Sequence, residues 1–285
     1  MACDSPVNVA IRGRLTDIQV GCGKCPPCKL RRVNSWVFRL QQEDRISSSA
    51  FFITLTYDGN HVPISDNGFM TLNKRDFQLF MKRLRKLSSN KLKYYLAGEY
   101  GTHNYRPHYH LILFNLEGVE CLPDGTYRSK FLDESWTAGV IHIGSVTADS
   151  IAYTTKYIDK PTRIPMHQRD DRLKEFSLMS KGLGANYLSD AVVHYHKADL
   201  TRNFITQEGG HKIALPTYYR NRIFNDEEKL LSRRIIIKSI HDDYNESAAA
   251  FTRSRPDDDY ELYLRNAKTA RYERFYSKLN KSRNL

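Results

Sequence analysis

The stretch Arg106-Pro107-His108-Tyr109-His110-Leu111-Ile112-Leu113-Phe114 constrains this chain more than any other. Side chains alternate across a β-strand, so His108 and His110 share one face while Tyr109, Leu111 and Leu113 share the other. Two imidazoles roughly 7 Å apart on one face hold a metal ion when a third ligand arrives from a neighbouring strand. Taken alone, the pattern also fits histidines that merely face solvent. The preceding run, Lys93-Tyr94-Tyr95-Leu96-Ala97-Gly98-Glu99-Tyr100, is aromatic-rich and reads as a strand. Gly101 to Pro107 is polar and holds glycine and proline, as a hairpin loop should. Antiparallel pairing then brings Glu99 beside the histidines. Two imidazoles and a carboxylate suit Mg²⁺ or Mn²⁺ bound alongside a phosphate. His103 is a rival ligand and ranks lower because it falls in the loop.

A third segment, Asp149 to Pro161, reads as a helix with Asp149 or Ser150 as N-cap and Pro161 as its stop. Tyr153 and Tyr157 lie four apart and share a face. Lys156 and Lys160 each follow a tyrosine by three. A phenol with an ordinary pKa of about 10 is a poor nucleophile at neutral pH. A neighbouring cation favours the phenolate or holds the phosphate under attack. The competing reading is an amphipathic helix with core tyrosines and solvated lysines.

In order and spacing these segments resemble the HUH endonucleases of rolling-circle replication. Three motifs carry the likeness: the strand Phe51-Phe52-Ile53-Thr54-Leu55-Thr56-Tyr57, the pair His108-Tyr109-His110, and the helix Tyr153 to Lys160. The paired tyrosines are similar to those of replication proteins from small isometric single-stranded DNA phages. Cys22-Gly23-Lys24-Cys25-Pro26-Pro27-Cys28 and Ser177 to Leu188 resemble the gokushovirus branch of the microviruses. The likeness covers roughly residues 1 to 225.

The resemblance implies a replication initiator endonuclease that nicks origin DNA, single-stranded or extruded. Its tyrosine keeps the 5′-phosphate as a phosphotyrosine, frees a 3′-hydroxyl, and the strand is later rejoined. Tyr153 and Tyr157 would be the nucleophiles, assisted by Lys156 and Lys160. Glu99, His108 and His110 would hold the divalent ion. Host replication helicase and polymerase would be partners. Two alternatives stay open: an HUH transposase or plasmid relaxase with the same chemistry, and a noncatalytic zinc-dependent DNA-binding protein.

A net charge of +12 over 285 residues favours a polyanionic partner. No run of 18 apolar residues and no signal-peptide core is present, which predicts a soluble chain. For a phage protein that means the host bacterial cytoplasm, with no membrane partner.

Four of the five cysteines, Cys3, Cys22, Cys25 and Cys28, fall in the first 28 residues. In a reducing compartment such a cluster reads as a knuckle for structural Zn²⁺. The alternative is reduced thiols in a turn built by Gly21, Gly23, Pro26 and Pro27. Cys121 reads as a buried or loop thiol without a role.

Lys29 to Ile46 reads as a basic amphipathic helix. Asn73 caps a second helix to Leu87, with Phe77, Phe80, Met81, Leu84 and Leu87 on its buried face. Its basic residues read as a solvated face. Gly139 to Val146 alternates as a strand, with His142 a spare ligand candidate. Ser180 to Gly184 is a phosphate cradle or, more simply, a glycine turn. His194 and His196 are assigned no metal. The fold class is α+β: a central, largely antiparallel sheet carrying the metal residues, flanked by helices. Residues 1–48 form the knuckle and basic helix, 49–225 the endonuclease core, and 226–285 a helical extension.

Overall fold

The computed structural model describes residues 3–10, 18–101, 104–147, 150–151, 154–155 and 164–281. In chain order the elements are strands β1 (Val7–Val9) and β2 (Ile18–Val20), helix α1 (Pro26–Asp44), β3 (Ala50–Tyr57), α2 (Lys74–Leu87), β4 (Lys93–Tyr100) and β5 (Pro107–Phe114). Next come β6 (Glu120–Cys121), β7 (Tyr127–Arg128), α3 (Lys130–Ser135), β8 (Gly139–Ser145) and β9 (Phe176–Met179). Then follow α4 (Asp190–Ala198), β10 (Phe204–Thr206), β11 (Lys212–Ala214), α5 (Thr217–Ile223), α6 (Asp226–Ser254) and α7 (Tyr260–Lys281). The chain divides into two compact units, Met1–Ser35 with Leu188–Leu285, and Trp36–Tyr187.

The second unit is built on a five-stranded sheet in the order β8-β3-β5-β4-β9. Every pairing in it is antiparallel, as the sequence predicts. One face is apolar throughout. Ile53, Leu55, Leu96, Tyr109, Leu111, Leu113 and Ile143 pack there against Phe77, Phe80, Met81 and Leu84 of α2 and against Leu132 and Trp136. Leu87, expected on the same buried stripe, is exposed. Basic residues of α2 are partly spent on packing: Arg83 Nε donates to Ser135 O at 2.8 Å, and Lys74 lies over the Phe176 ring.

A buried polar knot ties α2 to this face. The Tyr109 hydroxyl donates to Asn73 O at 2.8 Å and accepts from Asn73 N at 2.9 Å. Tyr57 Oη lies 2.9 Å from Tyr109 Oη and donates to Asp76 at 2.8 Å. Asn73 also caps α2, its side chain accepting from Arg75 N at 2.9 Å. Burial pushes the Tyr109 phenol up to about 12 and the Tyr57 phenol higher still, so both stay protonated at neutral pH.

The opposite face is divided. Tyr95, Ile112 and Phe114 form an apolar cluster with Leu40 of α1, Ile151 and Leu183. The other half of that face carries Thr54, Thr56, Glu99, His108 and His110, since directly paired residues project to the same side. β8 meets β3 at close range: a Cβ on Gly139 would lie 2.1 Å from Thr56 O, so only glycine fits there.

Several elements differ from expectation. α1 begins at Pro26 and not Lys29, because proline is accommodated in the first helical turn, where its missing N–H costs nothing. Pro26 and Pro27 therefore open the helix and do not build a turn before it. The Ser180–Gly184 segment is a turn whose backbone serves α1: Gly184 N donates to Glu43 Oε2 at 2.9 Å, and Arg39 donates to Leu183 O at 3.1 and 3.2 Å. A carboxylate already occupies that N–H, which removes the phosphate-cradle reading. Cys121 is exposed. His196 is a core residue, its Nδ1 2.6 Å from Arg202 O.

In the first unit, β1–β2 and β10–β11 are two-stranded hairpins, too short for their sequences to announce. α6 opens with a capping box between Asn225 and Glu228. No helix among the described residues is long and apolar enough to cross a membrane.

The polar stretch after residue 163, read as loop, contains a buried ion pair. Arg172 donates to both oxygens of Asp170 at 2.8 Å, and Met166 N donates to Asp170 at 2.7 Å. These bonds, the guanidinium foremost, hold the Asp170 carboxyl well below the usual carboxylate range. The unfolded chain protonates it near the ordinary value of about 3.9. The pair's stabilisation is therefore present above that pH and lost as pH falls toward the depressed folded value.

Two outcomes follow. In urea unfolding, Tyr109→Phe lowers stability by about 1–3 kcal/mol, because the Asn73 backbone groups and the Tyr57 phenol lose a buried partner. Asp170→Asn is destabilising at pH 7, and its difference from wild type shrinks at pH 3; a difference independent of pH contradicts this account of the pair.

Candidate functional site

The site begins with register. β5 lies between β3 and β4, with His110 opposite Thr54 and Ala97, and His108 opposite Thr56 and Glu99. The two threonines fix the histidine rings. Thr54 Oγ1 is 3.1 Å from His110 Nδ1, and Thr56 Oγ1 is 3.0 Å from His108 Nδ1. The other ring edges then point toward the end of β4. His110 Nε2 meets Glu99 Oε1 at 2.7 Å. His108 Nε2 lies against Gly101, where a Cβ would approach it to 3.1 Å. Any larger residue at that position would crowd the Nε2 edge.

Glu99 sits directly across from His108 yet reaches diagonally to His110. Such diagonals fall within side-chain reach on one face of an antiparallel pair. Glu99 and His110 are buried, and His108 is half-buried. Phe52 stacks on His110, with ring centroids 5.7 Å apart and an interplanar angle of 8°. The two histidine rings are 6.3 Å apart. A carboxylate and imidazole withdrawn from water cost free energy. Their pairing at the mouth of a polar sheet face, beside a second imidazole, marks a functional site.

Donor chemistry fits a divalent ion. Two imidazoles are held by their Nδ1 edges, which directs Nε2 toward the carboxylate. That is the outer-sphere arrangement that orients histidine ligands. Thr54 and Thr56 were legible in the sequence only as the end of an apolar strand; their role emerges from the pairing register. His142 lies opposite Thr54 on the same face and is exposed.

Beside this face the chain is helical at Ser150, Ile151, Thr154 and Thr155. Its cap is Thr147, not Asp149 or Ser150. Thr147 Oγ1 accepts from Ser150 N at 3.1 Å, and Ser150 Oγ accepts from Thr147 N at 2.8 Å. This reciprocal pair is a capping box with serine in the third position. Ile151, Thr154 and Thr155 are buried. Tyr153, Lys156, Tyr157, Lys160, His103 and Asp149 lie outside the described residues.

The four N-terminal cysteines are brought together. One sulfur from each of Cys3, Cys22, Cys25 and Cys28 lies within 4.8 Å of the others. Backbone N–H groups of Lys24 and Cys25, which donate to its sulfur, pull the Cys22 thiol down to about 6. Burial pushes the Cys28 thiol up to about 12.

Comparison with known proteins places this geometry. A family model described as replication-associated protein ORF2 matches residues 50–162, the stretch holding Thr54, Thr56, Glu99, His108, His110, Tyr153 and Tyr157. Replication-associated protein VP4 of Bdellovibrio phage phiMH2K is 30% identical over 227 residues, covering 74% of this chain and 69% of that protein. Replication-associated protein ORF2 of Spiroplasma virus 4 is 29% identical over 216 residues, covering 72% and 67%. Replication-associated protein ORF4 of Chlamydia phage 1 is 25% identical over 218 residues, covering 70% and 52%. No solved structure matches. The chain belongs to the replication-associated protein ORF2 family, alongside the replication-associated proteins of these small phages.

Proposed function

We propose that this protein is a replication initiator that nicks and rejoins single-stranded or extruded origin DNA of a small single-stranded DNA phage. The observation that carries the reading is the row of paired side chains on β3, β5 and β4: two threonine-held histidines with Nε2 directed toward Glu99. His108, His110 and Glu99 would hold Mg²⁺ or Mn²⁺. Such an ion, when bound, polarises and orients a phosphodiester.

The nucleophile is a phenol of Tyr153 or Tyr157. Its oxygen bonds to phosphorus, the bond from phosphorus to the 3′-oxygen breaks, and that oxygen takes up a proton. The products are a 5′-phosphotyrosine and a free 3′-hydroxyl. One phosphoester replaces another, so a 3′-hydroxyl reverses the step without ATP. Two tyrosines allow one to retain an old 5′ end while the other cuts. Lys156 and Lys160 supply positive charge for the phosphoryl oxygens. Tyr57 and Tyr109 are excluded as nucleophiles by burial and raised pKa values. The net charge of +12 supplies affinity for the DNA backbone. Host replication helicase and polymerase would take up the freed 3′ end in the bacterial cytoplasm.

The test is a denaturing gel of protein incubated with origin single-stranded DNA and Mn²⁺. Wild type yields a slow-migrating protein–DNA adduct that chelation abolishes. Tyr153→Phe with Tyr157→Phe yields none, and His110→Ala reduces the adduct at least about a hundredfold. DNA binding without any adduct across origin fragments would instead favour a noncatalytic binding protein.

A further inference from the structure

We propose that Cys3, Cys22, Cys25 and Cys28 form a structural Zn²⁺ centre that fastens both ends of the chain's first compact unit. The centre is separate from the nicking residues and does not depend on that reading.

The sulfur geometry carries the assignment. Cys3 Sγ and Cys25 Sγ are 3.7 Å apart, and all four sulfurs lie within 4.8 Å of one another. A disulfide would bring two sulfurs to about 2.05 Å. Four thiolates each about 2.3 Å from zinc lie about 3.8 Å from each other in a tetrahedron. The observed separation is that of a coordination tetrahedron, and all four thiols are free of disulfides.

The backbone is shaped around sulfur. Cys22 Sγ accepts from Lys24 N at 3.4 Å and from Cys25 N at 3.3 Å, while Cys3 Sγ accepts from Cys22 N at 3.2 Å. Bonds of this kind stabilise thiolate. Gly23 adopts a positive φ of 72° at the bend of the knuckle. At Gly21 a Cβ would come within 3.0 Å of Cys28 Sγ, so the chain passes too close to the sulfur for a side chain. Cys25 and Cys28 stand at the start of α1, where the helix dipole favours negative charge.

Connectivity gives the centre its purpose. Cys3 precedes β1 and Cys22 follows β2, so the sulfurs close the base of that hairpin. Next to Cys3, the buried carboxylate of Asp4 accepts from Arg271 at 2.6 Å, and Asp4 O accepts from Lys268 Nζ at 3.3 Å. Lys29, next to Cys28, lies 5.7 Å from the Tyr276 ring centroid. Arg271, Lys268 and Tyr276 all belong to α7. One ion thus secures the N-terminal hairpin, the start of α1 and the C-terminal helix.

Zinc is counted by mass spectrometry of the metals in full-length wild type, His110→Ala, Cys121→Ser, and Cys25→Ser with Cys28→Ser. One equivalent per chain is expected in the first three, and loss in the double variant. To keep the test independent of that variant's folding, the metal-free wild-type chain is also titrated with Co²⁺. A thiolate-to-cobalt absorption saturating at one equivalent, displaced by Zn²⁺, is expected. Hydrogen exchange within α7 should rise when zinc is chelated. Zinc-free wild type without a cobalt–thiolate band overturns the site, as does zinc retained by the double variant. Exchange in α7 indifferent to zinc overturns the fastening role. A chain that binds zinc but forms no DNA adduct refutes only the nicking reading.

Discussion

A one-residue slip of β5 against β3 and β4 would turn His108 and His110 into the apolar core and Tyr109 onto the polar face. The molecule resists that slip from both sides of the strand. On one side, Tyr109 is buried and its hydroxyl is locked to the backbone of Asn73. On the other, Thr54 and Thr56 hold the two imidazoles. The residue between the histidines thus anchors the strand to α2, and this anchorage presents the polar row opposite.

The same alternation explains how one sheet face serves two purposes. Toward one end, Tyr95, Ile112 and Phe114 bury themselves under Leu40, Ile151 and Leu183. Toward the other, the pattern changes to Thr54, Thr56, His108, His110 and Glu99. The apolar half docks the helical residues following Thr147, and the polar half carries the donors. Donor chemistry separates this site from the cysteine cluster. Nitrogen and oxygen donors with room for substrate suit a catalytic divalent ion, whereas four thiolates make a closed structural centre.

Much of this was legible in the sequence because strong local signals coincide there. The hairpin from Lys93 to Phe114 has alternation, a turn loop and strand-forming residues, and it forms as read. α2 has a capping asparagine and a helical apolar stripe. The pairing of Glu99 with His110 follows from the hairpin alone. What stayed hidden depends on long-range pairing or on short elements. Thr54 and Thr56 acquire their role only when β3 registers against β5. β9 contributes four residues at a sheet edge, too few for alternation to speak. Thr147 caps its helix through a serine partner, where a glutamate or glutamine is the usual signal. Pro26 and Pro27 looked like turn residues because proline marks helix starts as readily as turns.

The account rests on the sheet face being a divalent-ion site. The most direct measurement is electron paramagnetic resonance of free Mn²⁺ during titration into zinc-loaded protein, for wild type and for His108→Ala with His110→Ala. The prediction is one Mn²⁺ sequestered per wild-type chain and none by the double variant. Equal sequestration by both proteins, or none by either, would contradict it.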